Sequence, residues 1–132
     1  GMTAGEAVCR SGGVIILCAS CADGHGGEAF YRSLSTASSP KVLLDEILAV
    51  PRNRTIADQW QVQILVRILC QYRVIMVTHD CDHDMLHAMG LEVASDLEEA
   101  IALAKELVGA NAKIAVIPDG VSMVTEKIRE EK

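Results

Sequence analysis

Gly12-Gly-Val-Ile-Ile-Leu-Cys-Ala-Ser-Cys-Ala-Asp-Gly-His-Gly-Gly-Glu-Ala-Phe-Tyr31 is the stretch whose reading decides the fold. An apolar, β-branched run from Val14 to Cys18 breaks into a glycine-rich loop carrying Asp23 and His25, and helix formers return at Glu28. That is a strand, a loop and a helix. The unbroken apolar character of the strand suits one covered on both faces, as parallel strands in α/β folds are, and predicts a central position in the sheet. In open α/β sheets, ligands sit beyond the carboxyl ends of the strands. The loop Asp23-Gly24-His25-Gly26-Gly27 is therefore the first candidate binding site. It matches neither of the common phosphate fingerprints, and no lysine follows to meet a phosphate. Two readings stand for it: a turn needing residues that tolerate positive φ, with His25 as exposed filler, or a backbone nest for an anion or ligand.

Outward from this stretch, the chain reads as alternating helices and strands. Thr3-Ala-Gly-Glu6 has the form of a capping box for a short helix through Arg10, stopped by Gly12 and Gly13. Ser39-Pro40 places an N-cap before a proline at the first helical position, and Val42, Leu43, Ile47 and Leu48 supply an apolar face. Thr55, with Asp58 three positions on, predicts the start of a long helix whose buried stripe is Ile56, Trp60, Ile64 and Ile68, with Leu65 and Leu69 alongside. Arg73–Thr78 is a second strand, followed by the polar run His79-Asp-Cys-Asp-His-Asp84 and one or two helical turns to Met89. Leu91–Val93 is a short third strand. Ser95-Asp-Leu-Glu98 is a second capping box, opening a helix with Leu97, Ile101, Ala104 and Val108 inward and Gly109 as its stop. Lys113–Ile117 is the last predicted strand, Pro118-Asp-Gly120 a turn, and Glu126–Lys132 a charged tail.

Strands separated by helices require crossovers, so the expected architecture is a three-layer α/β/α domain with a small, mainly parallel sheet of about four strands. At 132 residues the chain fits one domain, 1–132, that buries a substantial core. Half the residues are apolar and mean hydropathy is +0.25, yet no apolar run approaches a membrane span. The net charge of −6, with scattered basic residues and few aromatics, argues against a nucleic-acid partner. Gly1 ahead of Met2 reads as a tag remnant, nothing near it resembles a signal peptide, and a cytoplasmic location is expected. An odd number of cysteines, five, reads as reduced thiols, with Cys9, Cys70 and Cys18 as small core residues.

If the first two strands are neighbours, the glycine loop and the His79–Asp84 loop leave the same sheet edge. Cys18-Ala-Ser-Cys21 has the C-x-x-C form of a redox site, but four loop residues and two glycines separate it from the next helix, which removes the dipole that lowers a thiol pKa. A zinc site from Cys18, Cys21, His79, Cys81 and His83, with His87 four residues beyond His83, is the alternative, since sulfur and imidazole are the ligands zinc prefers. Trp60, the only tryptophan, falls by period in the buried stripe of its helix.

Four segments carry a family likeness: Gly13-Val-Ile-Ile16, Asp23-Gly-His-Gly-Gly-Glu-Ala-Phe-Tyr31, Thr55-Ile-Ala-Asp-Gln-Trp-Gln-Val-Gln63 and Ala115-Val-Ile-Pro-Asp-Gly-Val121. In order and spacing they resemble the C-terminal domain of the nickel-dependent lactate racemase family, and the resemblance covers nearly the whole chain. It implies a two-domain enzyme that interconverts enantiomers or epimers of 2-hydroxy acids through a nickel pincer cofactor derived from nicotinic acid. The family's N-terminal domain supplies the tethering lysine, the nickel-ligating histidine and the catalytic histidine pair. The resemblance thus implies no catalytic residue and no bound cofactor in this chain, an N-terminal catalytic domain as its partner, and a 2-hydroxy acid as the substrate of the whole. It places Trp60 facing cofactor and substrate, and Asp23, Gly24, His25, Gly26 and Gly27 on or near the interdomain cleft. None of His25, His79, His83 and His87 sits in a motif of the family's catalytic pair. The rival expectation is a stand-alone α/β module that binds a metal or an anion and catalyses nothing.

Overall fold

The computed structural model describes residues 1–126. The tail from Glu126 onward therefore lies, past its first residue, outside the described residues. A parallel sheet of three strands, β1 (Val14–Cys18), β2 (Arg73–Val77) and β3 (Glu92–Ala94), stands in the order β1-β2-β3. Val14 lies opposite Arg73 and Cys18 opposite Val77, while Ile75 faces Glu92. The middle position belongs to β2, not to β1 as the apolar run suggested. Val74, Ile75 and Met76 are all buried, whereas in β1 only Ile15 is. A run as apolar as Val14–Cys18 is compatible with an edge when helices cover both of its faces.

Side chains alternate between the two faces of the sheet. Ile15, Val74 and Met76 face one way and pack with Val62, Leu65, Val66 and Ile68 of α4 (Gln59–Leu69), Leu34 of α2 (Glu28–Ser35), and Leu43 and Ile47 of α3 (Pro40–Ala49). Ile75 and Ala94 face the other way, against Ala100, Leu103 and Ala104 of α6 (Leu97–Val108), with Val14, Ile16 and Val77 beside them. Helix, sheet, helix is the three-layer α/β/α arrangement expected. Two short helices, α1 (Met2–Val8) and α5 (His83–Ala88), close the ends. No helix among the described residues is long and apolar enough to cross a membrane.

Several local signals hold. Ser39 Oγ accepts from the Val42 amide at 3.2 Å, with Pro40 in the first turn. Gly109 ends α6 at φ 92°, where a side chain would be strained. Others shift by a residue or more. The cap of α6 is Asp96, not Ser95: its Oδ1 accepts from Glu99 N at 2.8 Å, and Glu99 Oε2 accepts in return from Ser95 N at 2.7 Å. The inward face moves with it, burying Ala100 and leaving Leu97 and Val108 exposed. The Thr3–Glu6 box does not form. Glu6 instead accepts two hydrogen bonds from Arg67, at 3.1 and 2.7 Å, a paired geometry stronger than a single amide bond. Cys18 and Cys70 are exposed, not core residues, and Cys9 is half-buried.

The predicted strand Lys113–Ile117 joins no ladder, and Ile114 and Val116 are 66% and 81% exposed. Its composition is that of a strand, but a strand also needs a neighbouring edge. Gly13 links α1 to β1 in close quarters: a Cβ there would lie 2.5 Å from Cys9 Sγ and 2.8 Å from the Arg10 carbonyl oxygen. Because one of these neighbours is backbone, Gly13→Ala is expected to destabilise the domain by about 1–3 kcal/mol, read as a lower urea midpoint with unchanged slope.

Candidate functional site

The parallel register of β1 and β2 brings their two following loops out of the sheet together. Ala19 N donates to the Val77 carbonyl at 3.1 Å, carrying the ladder one step beyond β1. Thr78, buried at the end of β2, donates its hydroxyl to the Ser20 carbonyl at 2.7 Å. This side chain ties the two loops and was not singled out by sequence. Its only signal is a β-branched hydroxyl at the last position of an apolar run.

In the first loop, Cys21, Gly24 and Gly26 adopt positive φ (51°, 71° and 78°), and Gly24 N donates to the Cys21 carbonyl at 2.9 Å. A Cβ at Gly24, Gly26 or Gly27 would meet nothing within 4 Å. At Gly24 and Gly26 glycine is thus favoured by backbone conformation, and the surface above the loop is open. Asp23 is exposed. His25 is not exposed filler. Its Nδ1 accepts from the Gly27 amide at 3.1 Å, its Nε2 lies 3.7 Å from Glu28 Oε2, and its ring stacks on Tyr31 with centroids 5.0 Å apart. An accepting Nδ1 places the ring proton on Nε2, on the side of Glu28. Gly27, the N-cap of α2, has no side chain to cap with, and His25 fixes the entry to the helix by accepting from the Gly27 amide itself.

The second loop is spent on similar local work. Asp82 caps α5, its Oδ1 accepting from Asp84 N at 2.9 Å and Met85 N at 3.3 Å. His83 Nε2 lies 3.3 Å from the Thr78 carbonyl oxygen and His87 Nδ1 3.0 Å from that of Leu91, while His79 is exposed. Cys21 and Cys81 are half-buried against the same apolar cluster. Burial first, and the neighbouring Cys81 second, push the Cys21 thiol above its ordinary range. A thiol held protonated is a poor nucleophile and a poor metal ligand. The set Cys18, Cys21, His79, Cys81 and His83 does not converge: among the described residues, no three His, Cys, Asp or Glu side chains come together so as to hold a metal ion.

Trp60 departs most from the periodic reading. Its helix begins at Gln59, with Asp58 ahead of it at φ 63° and no side-chain cap, and Thr55 lies in extended backbone before it. The buried face of α4 is Val62, Leu65, Val66 and Ile68, and Trp60 is 64% and Ile56 67% exposed. Near them a shallow groove runs between α2, α3 and the start of α4, lined by Ala29, Phe30, Leu43, Ile47, Ile56 and Gln59 among others. The first turn of α2, which follows the glycine loop, and the first turn of α4, which bears Trp60, therefore border one apolar surface.

Comparison with known proteins shows what the chain resembles. The family model described as "Lactate racemase C-terminal domain" matches residues 1–125. The lactate racemase of Thermoanaerobacterium thermosaccharolyticum is 48% identical over 127 residues, covering 96% of this chain and 30% of that protein. That of Lactiplantibacillus plantarum is 44% identical over 126 residues, again 96% and 30%. The structure of the lactate racemase apoprotein from T. thermosaccharolyticum matches with a TM-score of 0.92 at 48% identity, covering 96% of this chain and 30% of that one. The chain thus spans about a third of the length of the curated relatives it matches.

Proposed function

The chain belongs to the lactate racemase C-terminal domain family, and from that premise we propose that it is the C-terminal domain of a cytoplasmic 2-hydroxy acid racemase or epimerase, forms one wall of an interdomain active-site cleft, and turns over nothing alone. The observation that carries this reading is Trp60: a large aromatic at the start of a helix whose other apolar side chains are buried or half-buried, itself left 64% exposed. An aromatic with that much uncovered apolar surface is suited to closing over something.

In this reading the reaction centre is a nickel pincer cofactor held by the preceding domain, which supplies the reversible chemistry at the α-carbon. The described residues of this chain form no set that would ligate nickel, so no step is assigned to them. Their part is to border the cleft. Trp60 covers the reacting molecule and keeps water from it, and the Asp23–Gly27 loop, braced by His25 on Gly27 and by Thr78 on Ser20, forms the rim. The stand-alone metal module has no converging ligand set in its favour.

The test is direct. Incubated with L-lactate, with or without nickel and cofactor, this chain alone is expected to leave the enantiomeric composition unchanged, while the longer polypeptide containing it racemises lactate. Turnover by the isolated chain would overturn the proposal.

A further inference from the structure

The segment Lys113-Ile-Ala-Val-Ile117 is anchored on both sides and unpaired between. Before it, Ala112 N donates to the Gly109 carbonyl at 3.2 Å. After it, Asp119 Oδ1 accepts from Val121 N at 3.0 Å and Ser122 N at 3.1 Å, and the Asp119 carbonyl accepts from Met123 N at 3.2 Å. The Ser122 hydroxyl, then the Ser122 and Val121 amides, hold the Asp119 carboxyl below the ordinary aspartate range, which is the direction expected of a carboxylate accepting these bonds. Among the described residues no backbone hydrogen bond reaches Lys113 to Ile117. A β-branched run with free backbone groups and exposed Ile114 and Val116 has the makings of an edge strand without an edge to join.

Its position says which edge. A Cβ on Gly120 would lie 3.0 Å from the Gly1 Cα, and Thr125 donates its hydroxyl to the Ala4 carbonyl at 2.7 Å. The segment therefore leads directly into a turn packed against the first residues of the chain, where a preceding domain would join. The matched relatives, of which this chain covers 30%, have the length for such a domain. Resting on the reading of this chain as a C-terminal domain, we propose that Lys113–Ile117 is a β-strand that adds to an edge of a sheet in the preceding domain, with Ile114 and Val116 packed into that domain's apolar face. Main-chain pairing would hold the two domains together, and alternate side chains would set the register.

Hydrogen exchange, read by mass spectrometry on the isolated chain and on the full-length polypeptide, tests this. The amides of 114–117 are expected to exchange on the order of 100-fold more slowly in the full-length polypeptide. Val116→Pro, which removes a ladder donor, is expected to abolish that protection while leaving the urea midpoint of the isolated chain in place, because Val116 is exposed there. Rapid exchange of 114–117 in a full-length polypeptide whose Trp60 has become shielded would overturn the strand and leave the cleft reading standing. Rapid exchange with Trp60 still open would overturn both. Protection that appears in the isolated chain as its concentration rises would make the occupant a second copy, and would equally overturn the proposal.

Discussion

Trp60→Ala is expected to lower lactate racemisation by the full-length polypeptide on the order of 100-fold, the scale of loss seen when a positioning surface is removed from a reacting centre. The same substitution is expected to leave the stability of the isolated chain within about 0.5 kcal/mol of the parent. The two halves of this result belong together. A tryptophan belonging to the core of this domain would show the reverse, with several kcal/mol lost on truncation. Trp60 is 64% exposed, and the packing of α4 rests on Val62, Leu65, Val66 and Ile68. Activity, not unfolding, is where its loss is felt. Trp60→Phe separates cover from specific contact: partial recovery is expected, because a smaller ring still excludes water.

The second large effect concerns that packing. Ile68 has no exposed surface and sits in α4 over Val74 and Met76 of the sheet, within the same cluster as Leu43 and Leu86. Ile68→Ala is expected to destabilise the domain by about 2–5 kcal/mol, as loss of a fully buried branched side chain leaves a cavity that rigid neighbours on several elements cannot close. Small domains are stable by only ~5–15 kcal/mol, so this change removes a large part of the margin. Urea unfolding followed by far-ultraviolet circular dichroism reads it. Ile64, one turn earlier and only half-buried, is expected to lose less.

Much of this architecture was legible in the residues because it is local. The break from Val14–Cys18 into glycine, the Ser39-Pro40 start and the Gly109 stop each depend on a few neighbours and fell where expected. What depends on distant chain did not. Whether β1 is central turns on what lies beyond its free edge, and a fully apolar strand reads the same in either place. The stripe Ile56–Trp60–Ile64–Ile68 was counted from Thr55, but Asp58 takes a left-handed conformation and the helix starts at Gln59. Ile68 and Leu65 of the expected stripe are buried, together with Val62 and Val66, but Ile56 falls before the helix and Trp60 in its first turn, where both stay exposed. By sequence His25 is either exposed filler or part of a nest. Its bond to Gly27 and its stack on Tyr31 depend on a backbone path that glycine permits but does not specify. The Cys and His residues of the two loops share a sheet edge as expected, yet His25, His83 and His87 are engaged locally, and sharing an edge is not the same as sharing a metal.

The family likeness was carried by motifs, and the match over residues 1–125 bears it out. Ile56, Trp60, Ile114 and Val116 all leave large apolar surface in water. In the proposed reading, a preceding domain covers this surface.

The measurement that bears most directly on the central claim is hydroxyl-radical footprinting of Trp60, resolved by mass spectrometry, on the isolated chain and on the full-length polypeptide under identical dose. The cleft reading predicts rapid oxidation in the isolated chain and strong suppression in the full-length polypeptide, deepening when lactate is present. Equal oxidation of Trp60 in both, in a full-length preparation that racemises lactate, would contradict it.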